Sequence, residues 1–226
     1  MIAPEYSPER GIIRLPRHHL EAMVGGDERA LDPRDEIGRE LKELGVVVDG
    51  GVDGALRQVL HTLRHPRSRF GLRLEQGADV ALHRGWIAAS GVVVVSGGTG
   101  ADDVQDLRAQ ARPSAAARVL AGLMEIGPAA EVTDLPERSL PWDEVMVPVR
   151  EGAGTGWARD AIGPTQPVRL THLRWSSDGV RRATTAMVLL SAGSAGIVEA
   201  RAADDGYELV ARTPAQVWTG LCTLTR

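Results

Sequence analysis

The residues best placed by type and spacing to do chemistry are Val92-Val93-Val94-Val95-Ser96-Gly97-Gly98-Thr99-Gly100. A buried strand that ends in a glycine-rich turn before a helix offers backbone N–H groups to an anion, and phosphates are often cradled this way. Neither G-x-x-x-x-G-K-[ST] nor G-x-G-x-x-G is completed here, and no lysine lies nearby. Asp102, Asp103 and Asp106 crowd the expected helix start and would repel an anion. The simpler reading is a turn whose acids cap a helix. The richer one, a small-ligand or nucleotide-binding enzyme using Gly97–Gly100, is kept as an alternative.

His61 and His65 are four residues apart, so a helix puts them on one face, where such a pair can grip a metal. Thr62, Leu63 and Arg64 lie between them, so the glutamate of H-E-x-x-H is missing, and nothing in the sequence signals a third ligand. His18 and His19 are adjacent, point to different faces of a helix and read as surface residues. No G-x-S-x-G elbow marks a serine nucleophile. Ser191–Gly196 reads as a loop between strands. No carboxylate stands alone in an apolar stretch. The expectation is therefore no catalytic residue, no cofactor and no metal site, and a protein that is not an enzyme. Of the tryptophans, Trp86 and Trp218 fall at core positions. Trp142 and Trp157 lie in an irregular stretch, which they pin to the domain more simply than they anchor a partner.

These residues must be held by a folded frame, and 226 residues with 43% hydrophobic content suffice for one good core or two small ones. The net charge of −4 argues against a nucleic-acid surface. Lys42 is the only lysine, so 26 basic residues less 1 leaves 25 arginines. That bias fits a GC-rich genome and is not in itself phosphate recognition, although arginine suits carboxylates at a protein interface. The single Cys222 excludes an intrachain disulfide and a thiolate zinc site. No signal peptide and no membrane-length apolar run is expected, which points to the cytoplasm and to no membrane insertion.

The periods alternate along the chain. Ile12–Leu15 reads as a strand, followed by a short helix. Asp32-Pro33-Arg34-Asp35 reads as a helix start, with Asp32 as the cap, Pro33 at the first helical position, and Ile37, Leu41 and Leu44 inward. Asp53 caps the next helix, where Leu56, Val59, Leu60 and Leu63 make a stripe. Phe70 to Val95 alternates as an antiparallel meander with a turn at Gln76-Gly77. Val104, Leu107 and Ala111 then suggest a helix, and a second runs from about Ser114 to Ile126. Residues 127–167, with six prolines, read as an irregular connector with a short helix near Trp157–Ile162. Its length is unusual for a compact domain, so part of it either packs across the sheet or stays mobile. Strands return from Val168 to Arg212, and Pro214 opens a last helix. Residues 70–111 and 168–225 share one order of elements, which reads as an internal repeat. The expected fold class is α+β, a largely antiparallel sheet with flanking helices and a pseudo-twofold repeat. It forms a single domain over 1–226, with halves 1–126 and 168–226 joined by the connector 127–167.

Three stretches carry a family resemblance. In residues 33–74, a helix leads into Leu44-Gly45-Val46-Val47-Val48-Asp49-Gly50. A second helix ends in Leu60-His61-Thr62-Leu63-Arg64-His65-Pro66 before a strand. Trp175-Ser176-Ser177-Asp178-Gly179-Val180-Arg181-Arg182 reads as a hairpin before a long strand. Val210-Ala211-Arg212-Thr213-Pro214-Ala215-Gln216-Val217 is a strand running into the final helix. Together they resemble the EspG family of type VII (ESX) secretion chaperones over about half the chain. The Gly-Arg-Tyr-like element that often follows the long strand in that family is missing around Ser191–Gly196. The resemblance implies an EspG-like sheet with helices and an ATP-independent chaperone. Its partners would be helical secretion substrates of the PE–PPE type, held in the cytoplasm. It carries over no catalytic residue. It points to partner contacts at Arg174, Arg181 and Arg182 on the hairpin and Gln216 on the last helix. A structural homodimer is the third reading.

Overall fold

The computed structural model describes residues 3–25, 32, 34–49, 51–97, 103–152, 154–164, 166–177 and 184–225. It is an α+β fold with a large antiparallel sheet and flanking helices. The chain forms two compact units. The first takes residues up to Phe70, then Leu82–Ala115 and the strand end Ser176–Ser177. The second takes Gly71–Ala81, Ala116–Trp175 and the chain from 184 onward.

In the first unit the strands are β1 (Glu5–Ser7), β2 (Ile12–Pro16), the two-residue β3 (Val47–Val48) and β4 (Gly51–Val52), the start of β5 (Ser68–Gln76), most of β6 (Asp79–Ala88), β7 (Gly91–Ser96) and β8 (Val104–Gln110). Among the described residues β3 and β4 pair only with each other, and the others run β1-β2-β8-β7-β6-β5. β7 lies antiparallel between β6 and β8, with Trp86 opposite Val93 and Val95 opposite Leu107. Val92–Val95 are all buried, as a central strand covered on both faces requires. The helices are α1 (Arg17–Gly25), α2 (Glu36–Glu43) and α3 (Gly54–Arg64). Asp53 caps α3, its side chain accepting from the Ala55 N–H at 2.9 Å. The tyrosine hydroxyl of Tyr6 donates to the same carboxylate at 2.5 Å. Leu56, Val59, Leu60 and Leu63 face a core shared with Leu15, Met23, Leu41 and Leu107. Fully buried leucines of this kind contribute about 2 kcal/mol each. The α2 start differs from the sequence expectation. Asp35 occupies the N-cap position, while the Asp32 side chain accepts from the Arg34 N–H in the turn before it. Pro33 lies outside the described residues.

The helix expected from Val104 to Ala111 is the strand β8. Val104, Leu107 and Ala111 do fit a helical face, but Gln105 and Leu107 point inward two apart, which is the strand period. The buried Gln105 amide is satisfied because Arg84 Nη2 donates to its oxygen at 3.1 Å. Pairing with β2 and β7 along its length outweighs a local pattern that either structure could use.

The second unit holds the rest of β5 and β6, then β9 (Arg169–Ser177), β10 (Thr184–Ser191), β11 (Ile197–Ala203) and β12 (Gly206–Arg212), in the order β5-β9-β10-β11-β12. The last three pairings are antiparallel. Its helices are α4 (Ala116–Leu123), α5 (Trp142–Glu151), α6 (Ala158–Ala161) and α7 (Pro214–Leu224). α5 lies inside the stretch expected to be irregular. Its first turn carries Asp143 and Glu144, and Val145, Met146 and Val149 are buried. Pro148 sits within it and frees only the carbonyl of exposed Glu144, which water can serve.

The rest of that stretch is tied down. Leu140 and Tyr207 exchange two backbone hydrogen bonds of 2.8 Å, and the Ala130 N–H donates to Ser194 at 2.8 Å. Trp157 Nε1 donates to the Val145 carbonyl at 3.3 Å, and the Trp142 ring lies 4.9 Å from Tyr207. Both tryptophans pin the segment, as expected. Val132, Leu140, Val145, Leu190 and Val198 share the core of this unit.

Candidate partner-binding surface

Helix α7 follows β12 with a sharply defined start. Thr213 is its N-cap and Pro214 its first residue, where a missing N–H costs nothing. The Thr213 hydroxyl accepts from the Gln216 N–H at 3.2 Å, and the Gln216 side-chain oxygen accepts from the Thr213 N–H at 2.9 Å. This reciprocal pair is a capping box. Val217 and Leu221, four apart, dock the helix, with α4 as a packing neighbour.

Trp218 lies about 100° around the helix from Val217. It is 43% exposed, so the expectation that it is a core residue fails. Ala215, Gln216, Thr219 and Thr223 are exposed with it. The threonine hydroxyls are turned inward. Thr219 donates to the Ala215 carbonyl and Thr223 to the Thr219 carbonyl, each at 2.9 Å. What the outer face offers is therefore largely methyl groups and an indole. Residues 213–225 contain no Asp, Glu, Lys, Arg or His, in a chain that is 25% charged. Interface centres are depleted of charge and enriched in tryptophan, whereas an ordinary surface helix alternates charges. That absence was legible in the sequence.

The residues drawn from the family resemblance are distributed differently. Arg174 is exposed on β9, opposite Thr185 of β10. Gln216 is exposed on α7, with its side-chain oxygen held in the cap. Arg181 and Arg182 lie outside the described residues. Val80 and Leu82, on one side of β6, are further exposed apolar residues.

β7 ends at Ser96, and the next described element, from Val104, is the antiparallel strand β8 rather than the expected helix. Gly97 has φ +156°, and a Cβ on it would sit 2.7 Å from the Val104 carbonyl oxygen. Gly98, Thr99 and Gly100 lie outside the described residues. Two clefts, one by Gln58, Thr62 and Ser90 and one by Gln76, Glu125 and Arg169, have volumes of about 170 and 260 Å³. Both fall below the usual small-ligand range of about 300–1,000 Å³.

His61 and His65 are exposed on α3 with ring centroids 5.1 Å apart. The reading of His18-His19 as surface fails for His19, which is buried. Its Nε2 lies 2.7 Å from Glu40 Oε2. Burial, then the neighbouring His18, pushes its pKa below the ordinary value against the pull of Glu40. No described helix is long and apolar enough to cross a membrane.

This fold, a large antiparallel sheet with flanking helices and an uncharged terminal helix face, is similar to that of a chaperone. Over 94% of this chain and 95% of the other, it matches the Mycobacterium tuberculosis type VII secretion system chaperone EspG5, solved in complex with a PE25–PPE41 dimer. The TM-score is 0.55 and the identity 15%, so the likeness is one of fold. No protein-family profile and no curated protein sequence matches the chain.

Proposed function

We propose that this protein is a protein-binding chaperone of a type VII secretion system, which holds helical PE–PPE-like substrates before export. The observation that carries the reading is the uncharged outer face of α7 around Trp218, on a fold similar to that of EspG5. A chaperone that shields an apolar helical tip needs a firm frame and a desolvatable anchor rather than a deep pocket. Arg174, Arg181, Arg182 and Gln216 are proposed as polar contacts to the same partner.

The test is co-expression with PE–PPE-like pairs encoded near this protein's gene, followed by size-exclusion chromatography with light scattering. A stoichiometric complex is the expected outcome. A monomer or a homodimer with every candidate pair would overturn the chaperone reading, the homodimer favouring a structural subunit instead.

A further inference from the structure

We infer that His18, His19 and Glu40 form a binding site for a zinc-type divalent cation that joins α1 to α2. Each residue brings a ligand atom within 4.8 Å of the other two. His19 is 1% exposed, and its Nε2 lies 2.7 Å from Glu40 Oε2, yet among the described residues neither ring nitrogen makes a hydrogen bond of acceptable geometry. Native interiors rarely leave a buried imidazole unsatisfied without a reason. A cation supplies one, because it takes the lone pair of a neutral imidazole and the charge of a carboxylate together.

The second imidazole is at hand, since the His18 and His19 ring centroids are 4.3 Å apart, edge to face. Two imidazoles and one carboxylate, with water completing the shell, suit zinc and its neighbours in the first row. Bonds of about 2.0–2.2 Å place tetrahedral ligand atoms roughly 3.3 Å from each other. The group must therefore close by about 1.5 Å at its widest, given that spacing. Glu40, its side chain 48% exposed, and the partly exposed His18 leave room for that adjustment. The ligands sit in the first turn of α1 and the middle of α2, so the ion would hold these two helices to each other. His61 and His65 provide an internal control. They are a second histidine pair, and no third ligand joins them among the described residues.

The experiment uses the full chain, stripped with EDTA, and the metal alone as probe. Zn2+ is titrated by calorimetry and Co2+ by its visible d–d absorption. The expected result is one saturable site. Affinity should fall at least about tenfold in both His18→Ala and Glu40→Gln, and stay unchanged in a His61→Ala, His65→Ala double variant. Glu40→Gln keeps the side-chain shape, so it decides the matter if His18→Ala fails to fold. Absence of saturable binding overturns the inference. So does binding that survives Glu40→Gln and disappears in the double variant.

Discussion

Replacing Trp218 by alanine separates an interface anchor from a core residue. A tryptophan side chain can bury up to about 250 Å². With 43% of it exposed, roughly 100 Å² remains for a partner to cover at about 25 cal/mol per Å². That area is worth about 2.5 kcal/mol. Alanine retains a little of the contact, which leaves a loss of about 2 kcal/mol, or about 30-fold in Kd. The buried remainder of the ring means that thermal stability falls as well. Affinity for the co-purified substrate pair should therefore be measured by calorimetry in the cold, with circular dichroism showing both proteins folded. A companion change, Thr219→Arg, sets a charge into the same face without touching the core and should weaken binding comparably. If both variants bind within about threefold of the parent, where the anchor argument requires a loss of about 30-fold, then α7 is not the contact surface.

Two further outcomes follow from the frame. A Cβ on Gly85 would lie 2.0 Å from the ring of buried Phe70, whereas one on Gly71 meets nothing within 4 Å. Gly85→Ala should therefore cost about 1–3 kcal/mol and lower Tm by several degrees, with Gly71→Ala close to neutral; equal effects in thermal melts would show that the ring packing is not decisive. The second concerns pH. His83 and His172 both sit below their ordinary pKa of 6.5, first through burial and then through positive neighbours. These are Arg108 for His83, and Arg174 and Arg73 for His172, with Glu75 opposing. The unfolded chain takes up protons that the folded one resists, so stability is full above about pH 7 and falls as pH drops towards about 5. Urea midpoints across that range should decline; a rise would contradict the burial argument.

Much of the frame could be read from local rules. Asp53 and the Leu56 to Leu63 stripe form α3 because cap and period agree. The Gln76-Gly77 turn forms because Gly77 supplies the positive φ of +59° that the hairpin needs. Where the reading failed, distant parts of the chain decide. β8 has a sequence that could coil, and its neighbouring strands settle the matter. α5 hides among prolines, because Pro148 is tolerated only where the freed carbonyl meets water. His19 becomes a core residue only through tertiary packing around α1, which also brings Glu40 of α2 to its ring, and no spacing rule encodes that. Trp218 needed only the angle between successive helical residues.

The charge-free face of α7 also bears on how fast a partner is found. Long-range attraction between opposite charges can raise association rates to about 10⁸–10⁹ M⁻¹s⁻¹, and without it roughly 10⁵–10⁶ M⁻¹s⁻¹ is usual. An encounter through methyl groups and an indole gains nothing from steering at the contact itself and loses little to salt. Any steering of capture, and its salt dependence, would then come from the proposed arginine contacts rather than from α7. The lifetime of the complex, rather than the speed of meeting, would set how long a client stays sheltered.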